Sequence, residues 1–433
     1  MNRVLSILSL ILLFPMLVLA QQQPQVFEGA KIIPIEGEPI SEGTLIIEKG
    51  KITAVGTREN VEIPENAQTH DVSGKVIMPG LVDSHSHIGS GDGGDRSSAL
   101  HPDTRILDSI DPRSDTFKKA LAGGITTVNV MPGSGHLMSG RTVYLKLRDT
   151  NTIEEMLFVD DPVNEIAGGL KMANGTNPIG EGPFPGTRAK SVAMVRDLFI
   201  KAQEYKNKVE KADGDPEKMP TRDLGMETLI QVLDGERVVH NHTHRHDDIL
   251  TAIRLSEEFG YRLVLHHVSE AWKVAEEIAE AEVPSSIIVL DSPGGKMEAA
   301  DIRYENGAVL EEAGVMVGYH TDASITDTRL FLRSGAFGVR AGMSRDAALE
   351  ALTIANAKML DLENRVGTLE EGKDADFIIL SGDPLSTYTR VQQTWVEGKK
   401  RFDVSDPEDA KYAVGGYKVF ERSTQNHHHH GID

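Results

Sequence analysis

His85 and His87 sit one residue apart, directly after the apolar run Val76-Ile77-Met78-Pro79-Gly80-Leu81-Val82-Asp83. On an extended segment side chains alternate, so residues i and i+2 project from one face and both imidazoles can grip a single ion. Histidines recur at the ends of later β-like runs. By the same alternation His240, His242 and His244 fall on one face of 238–245; His266 and His267 close Leu263-Val264-Leu265, and His320 and Asp322 follow Val315-Met316-Val317-Gly318-Tyr319. Imidazole and carboxylate are ligands for a divalent cation, and a carboxylate beside the ion can also move a proton. Each group singly has a plainer use: a His-x-His pair occurs on surfaces by chance, His240 reads as a core histidine hydrogen-bonded to its neighbours, and an Asp after a strand is commonly a helix N-cap. Their recurrence at strand ends argues for one shared site.

The elements that must position these groups alternate. Between residues 80 and 360, β-like runs at 125–130, 169–173, 237–242, 261–267, 286–290 and 315–320 are separated by helix-like stretches, the pattern of parallel βα units. Helical periodicity is clear at 274–281 and at 346–360, the second begun by Ser344 as N-cap. Flanking this region are short β-like runs at 30–35, 43–48 and 51–56, with Gly50 marking a hairpin, and again at 376–380 and 391–398. The two end segments look like halves of one small β-sandwich. Gly- and Pro-rich loops at 89–94, 132–140, 174–186 and 292–295 lack the Gly-Lys-Ser/Thr of a phosphate cradle and read as lids or substrate walls. The charged stretch 205–222 reads as a solvated connector.

A chain of 433 residues has room for one large domain and a smaller one. Its net charge of −21 argues against nucleic acid or an anionic membrane surface as partner, because phosphate contacts need clustered Lys and Arg. Cysteine is absent, so a disulfide framework or thiolate metal site is excluded and any ion must rest on His, carboxylate or a modified Lys. Arg3, an apolar stretch from Val4 to Leu19 and Ala20 before Gln21-Gln22-Gln23-Pro24 have the form of a cleaved signal peptide over residues 1–20, which places the mature protein in the periplasm or outside the cell.

The β run, the Pro-Gly turn and His85-Ser86-His87, with the later strand-end histidines and Asp322 in order, resemble the metal-dependent amidohydrolases over about residues 25–403, nearest to imidazolonepropionase-like and Xaa-Pro dipeptidase-like members. The resemblance implies an α/β fold: a (β/α)8 TIM-like barrel at 80–360 and a composite β-sandwich from 21–79 and 361–422, followed by a disordered tail at 423–433. The His427–His430 run in that tail is excluded from the site. Carried over position by position, the resemblance implies metal ligands His85, His87, Lys171, His242, His267 and Asp322, with His266 pointing the opposite way from His267. Asp322, His267 and His244 would act in catalysis, Asp322 as proton shuttle. Lys171, in Leu170-Lys171-Met172, would be a carbamylated ligand, with Lys146 as rival; related chains often carry an acidic residue where Thr176 stands, which leaves one or two ions open. Zinc suits such ligands, with manganese, iron or cobalt as alternatives that the ligand types do not separate. The implied reaction is hydrolysis of an amide, peptide or cyclic amide in a small molecule or short peptide. A deaminase or lactonase on the same scaffold and a non-catalytic envelope metal-binding protein are the alternatives, and a homo-oligomer is compatible with either.

Overall fold

The computed structural model describes residues 23–91, 93–288, 296–323 and 325–414. The expected leader at 1–20, the loop at 292–295 and the tail at 423–433 lie outside the described residues. In chain order the strands are β1 (Gln25–Ile32), β2 (Ile40–Glu48), β3 (Lys51–Thr57), β4 (Gln68–Asp71), β5 (Val76–Pro79), β6 (Leu81–Ser86), β7 (Ile125–Val130), β8 (Met138–Arg141), β9 (Val143–Lys146), β10 (Leu170–Ala173), β11 (Val239–Thr243), β12 (Leu263–His267), β13 (Ser285–Ile287), β14 (Val317–Tyr319), β15 (Phe377–Leu380), β16 (Val391–Val396) and β17 (Lys399–Asp403). Helices fill most of the longer connections, giving a mixed α/β fold.

Strands from both ends of the chain share one sheet, in the order β17-β16-β15-β5-β1-β2-β3 with β4 beside β1. The β2–β3 hairpin turns at Lys49 (φ +52°) and Gly50 (φ +80°), the two consecutive positive φ values of a tight hairpin turn. At β15 the sheet meets the rest of the molecule. Phe377 and Ile379 face a core of the sheet's own, where Phe377 stacks on Trp395 with ring centroids 5.5 Å apart, while Ile378 and Leu380 face the main core. Burial on both sides is why this strand is apolar at every position.

A second sheet has the order β14-β13-β12-β11-β10-β8, parallel from β10 to β14 and antiparallel where β8 joins, and a third has the order β6-β7-β9. Register in the second sheet carries the site: Lys171 pairs with His240, His242 with His266, Thr243 with His267 and Ser286 with Gly318. The strands β6 and β14 are tied largely by side chains. Asn356 Nδ2 donates to the carbonyls of Val82 and Tyr319, both at 2.6 Å, and Asp83 accepts from Thr321 N at 3.0 Å and Thr321 Oγ1 at 2.5 Å.

Two stretches depart from the sequence reading. Residues 205–212 are not a connector but the last turns of the 25-residue helix Arg188–Ala212, whose buried Val195, Phe199 and Ala202 supply an apolar stripe; the charges are its solvated face. The stretch 346–360 is two helices, Arg345–Glu350 and Ile354–Met359, because the backbone leaves the helical region at Thr353 (φ −137°, ψ −96°), whose hydroxyl bonds the Leu349 carbonyl at 2.7 Å. Ser344 caps the first as expected, accepting from Ala347 N.

Lys146 locks the end-strand sheet to β9. Its ammonium is fully buried and contacts Asp374, with Asp376 at 3.2 Å and Glu397 at 3.6 Å; Asp374 also takes Lys51 at 2.6 Å and Arg365 at 2.8 Å. Burial alone would raise the Asp374 carboxyl, but Lys146 and the other cations hold it down at about 2. Removing one member of such a network strands the others without water. Lys146→Met is expected to lower the unfolding free energy by about 3–5 kcal/mol in urea titrations. Because Asp374 is depressed in the folded state, its contribution is complete above its ordinary value of 3.8 and is lost as pH falls toward 2; an acid titration in which Asp374→Asn matches the wild type would contradict this.

Candidate metal centre

The C-terminal end of β6, the strand β10 and the residues just past β14 bring four of the predicted groups together. His87 Nε2 lies 3.1 Å from Asp322 Oδ1, and His85 Nε2 lies 3.5 Å from the same oxygen and 3.4 Å from His87 Nε2. Lys171 Nζ is 3.4 Å from His85 Nε2 and 3.1 Å from Met131 Sδ, with the whole side chain buried. The backbone finishes the alignment, since Asp322 N donates to the His85 carbonyl at 2.9 Å.

His87 donates Nδ1–H to the Met131 carbonyl at 2.8 Å, which turns Nε2 toward Asp322. That fixes the tautomer a metal ligand needs. Two ring nitrogens and a carboxylate oxygen thus converge on one point, a donor set that suits a divalent cation. The donor set fits the ion.

His267 joins from the side. Its Nδ1 is 3.8 Å from Asp322 Oδ2 and shares a 3.0 Å hydrogen bond with His320 Nε2. Strict alternation would send His266 and His267 to opposite faces, yet both rings pack on His85, at 4.9 and 4.7 Å between centroids. The reason is left-handed backbone at His267 (φ +71°) and Val268 (φ +38°), which turns the last ring of β12 back toward the site. His240 is the core histidine expected, bonded through Nε2 to Tyr144 at 3.0 Å and through Nδ1 to His266 at 2.9 Å.

His242 and His244 stand apart from the His85 cluster. His242 packs its ring 4.4 Å from that of His267, but its donor atoms group with those of His244 and Glu298 rather than with Asp322. Lys146, the rival to Lys171, is held in the sheet junction and takes no part in the site.

A profile of the Amidohydrolase family matches residues 303–407. A crystal structure of an amidohydrolase from Thermotoga maritima MSB8 superposes with a TM-score of 0.81 and 34% identity, covering 88% of this chain and all of that one. The chain belongs to the metal-dependent amidohydrolase superfamily, hydrolases of carbon–nitrogen bonds. Among more distant relatives of this amidohydrolase, the protein tasK of Hapsidospora irregularis, also called an amidohydrolase, is 26% identical over 394 residues, 83% of this chain but only 40% of that protein. An imidazolonepropionase of Rhizobium rhizogenes is 24% identical over 395 residues, 82% of this chain and 91% of its own length.

Burial governs the charge states of the amidohydrolase site. It pushes the Lys171 ammonium down to about 7 against the pull of Asp322, and pushes Asp83 up to about 7 against the Thr321 hydrogen bonds. It would raise Asp322 too, but the His87 contact, with His320 and Lys171 nearby, holds that carboxyl well below its usual range. His85, His240, His242, His244, His266, His267 and His320 are all lowered, in each case chiefly by burial.

Sequence reasoning placed His320 at a strand end without giving it a role, and passed over Asn177 and Glu298. His320 was within reach, lying two residues from Asp322 on the same strand end. Asn177 and Glu298 carried no signal, because a polar residue in a loop reads as solvated unless its burial is known.

Histidines that protonate in the unfolded chain but not in the fold penalise the fold in acid. For metal-free protein, stability is expected to hold above pH 6.5 and to fall below it, with a slope of about 1.4 kcal/mol per pH unit for each imidazole that gains its proton only on unfolding. Urea titrations between pH 7.5 and 5 that gave one constant free energy would refute the neutral cluster.

Proposed function

We propose that this amidohydrolase cleaves an amide, peptide or cyclic amide bond in a small molecule or short peptide at the His85–His87–Asp322 cluster. The observation that carries the reading is the convergence of His85 Nε2, His87 Nε2 and Asp322 Oδ1 from distant parts of the chain, with Lys171 and His267 beside them. We read the six- and three-stranded sheets as parts of one β/α barrel, in which chemistry gathers at the C-terminal strand ends. The apolar leader at 1–20 supports export.

His85, His87 and Asp322 would hold a divalent ion, for which zinc suits the donor set, and the ion when bound supplies Lewis acidity toward water and a carbonyl. Asp322, kept ionised by its neighbours, takes the proton of the attacking water and returns it to the leaving nitrogen. His267, on the other side of Asp322, is placed to stabilise a developing oxyanion. Lys171, whose ammonium burial pushes down to about 7, has neutral amine available near pH 7 that can add carbon dioxide with loss of a proton; the carbamate replaces a cation by an anionic oxygen donor. A deaminase or lactonase would keep the same cluster and change the groups that contact substrate.

Asp322→Asn is expected to reduce kcat about 10²–10⁴-fold while circular dichroism stays unchanged. Turnover near wild type would end the proton-shuttle role. Assay of the metal-loaded enzyme against dipeptides, N-acyl amino acids, cyclic amides, aminated heterocycles and lactones separates the reaction types, and no hydrolysis across the panel would favour a binding protein. Growth with labelled bicarbonate is expected to give a carbamate resonance that Lys171→Ala lacks.

A further inference from the structure

We propose that Lys296 selects the substrate: its ammonium binds a carboxylate carried by the molecule that the His85–His87–Asp322 cluster cleaves, so that acidic amides such as N-acyl amino acids and peptides with a free C-terminus are preferred. This rests on the hydrolase reading above and adds the substrate class to it.

Lys296 stands at the edge of the site, just before the short turn Met297–Ala299. Its Nζ donates to Asn177 Oδ1 at 2.7 Å, and Asn177 Nδ2 is hydrogen-bonded to His242 Nε2 at 3.0 Å. One carboxamide therefore separates the ammonium from an imidazole whose ring packs 4.4 Å from that of His267, the neighbour of Asp322. The charge is felt across the site. Burial is the main cause that lowers His242 and His244, and the Lys296 ammonium lowers both further; Lys296 is itself lowered by burial, while Glu298 and Asp322 pull it back up.

The bonding of this lysine is incomplete. An ammonium has three N–H donors, of which Asn177 takes one, and among the described residues no carboxylate closes an ion pair with it. Cations nearby are differently placed: Arg188 chelates Asp248 at 3.0 Å, and Lys273 sits between Glu270 at 2.9 Å and Asp301 at 2.8 Å. In a chain with 66 acidic residues against 45 basic ones, a lysine beside the site that lacks an acidic partner is open to an anion from outside. The Lys296 side chain is exposed, so such an anion can reach it, and the protein crowded around its ammonium weakens the screening by water. Ser134 completes a two-point contact. Its Oγ accepts from Asn177 Nδ2 at 2.9 Å, which leaves the hydroxyl proton for the second oxygen of a carboxylate held by Lys296.

The test is a paired assay of the metal-loaded full-length enzyme on N-acetyl amino acids and dipeptides, each offered as the free acid and as its C-terminal amide. Wild type is expected to favour the acids by about 10–100-fold in kcat/KM, the worth of a hydrogen bond to a charged group. Lys296→Gln, which keeps a donor for Asn177 and removes only the charge, is expected to raise KM for the acids by that factor, with kcat little changed and the amides unaffected; Lys296→Arg is expected to restore most of the preference. No acid preference in wild type, a preference that survives Lys296→Gln, or equal losses on acids and amides would overturn the proposal. If nothing in the panel is hydrolysed, the cleavage reading falls and calorimetric titration of N-acetyl-L-leucine and N-acetyl-L-leucinamide decides the subsite alone. Tighter binding of the acid, abolished in Lys296→Gln, keeps it; equal binding of the two, or none, sinks it.

Discussion

A core of uncharged imidazoles is the constraint around which this molecule is built. His85, His240, His242, His266, His267 and His320 are packed together and almost wholly removed from water, next to the buried amine of Lys171. A proton on any of them adds a positive charge where no solvent can screen it, so each must be held neutral and in one tautomer. Chains of directed hydrogen bonds do this. One runs from Tyr144 through His240 to His266, and another from Ser84 through Ser286 and His320 to His267, with contacts of 2.7–3.0 Å.

Such chains transmit a demand for register. Their members come from β6, β9, β11, β12, β13 and the end of β14, so a slip of one residue in any strand breaks a link and strands a polar group in the core. The backbone yields where it must. Gly169 has no side chain because a Cβ there would lie 2.3 Å from the His240 ring, and β12 ends in a left-handed pair so that His267 can turn inward. The outer ties, Asn356 across β6 and β14 and Lys146 across the sheet junction, hold the frame in which those contacts keep their lengths.

The same polar core accounts for where chemistry is available. Several of its nitrogens are spent on one another or on neighbouring hydroxyls deep in the fold. At the strand ends the bonding runs out: His85, His87 and Asp322 converge there, and donor atoms of His242, His244 and Glu298 group a short distance away. Reactivity collects where the internal hydrogen-bond supply ends and an outside ion or substrate can complete it.

The ordering of strand-like and helix-like runs was legible from the sequence, because alternation and apolar periodicity are local properties written residue by residue, whereas the pairing of both chain ends and the meeting of His85, His87 and Asp322 were expected only through the resemblance to the amidohydrolases. Local pattern failed where geometry was set at a distance. The charged residues at 205–212 belong to a helix whose buried stripe begins upstream, and alternation assigned His266 the wrong direction because the turn at His267 depends on what β12 packs against. Whether Lys171 or Lys146 reached the site, and that Glu298 would be drawn in beside His242 and His244, were decided only by the tertiary structure. Burial and the meeting of groups far apart in the chain are properties of packing, and no single stretch of residues contains them.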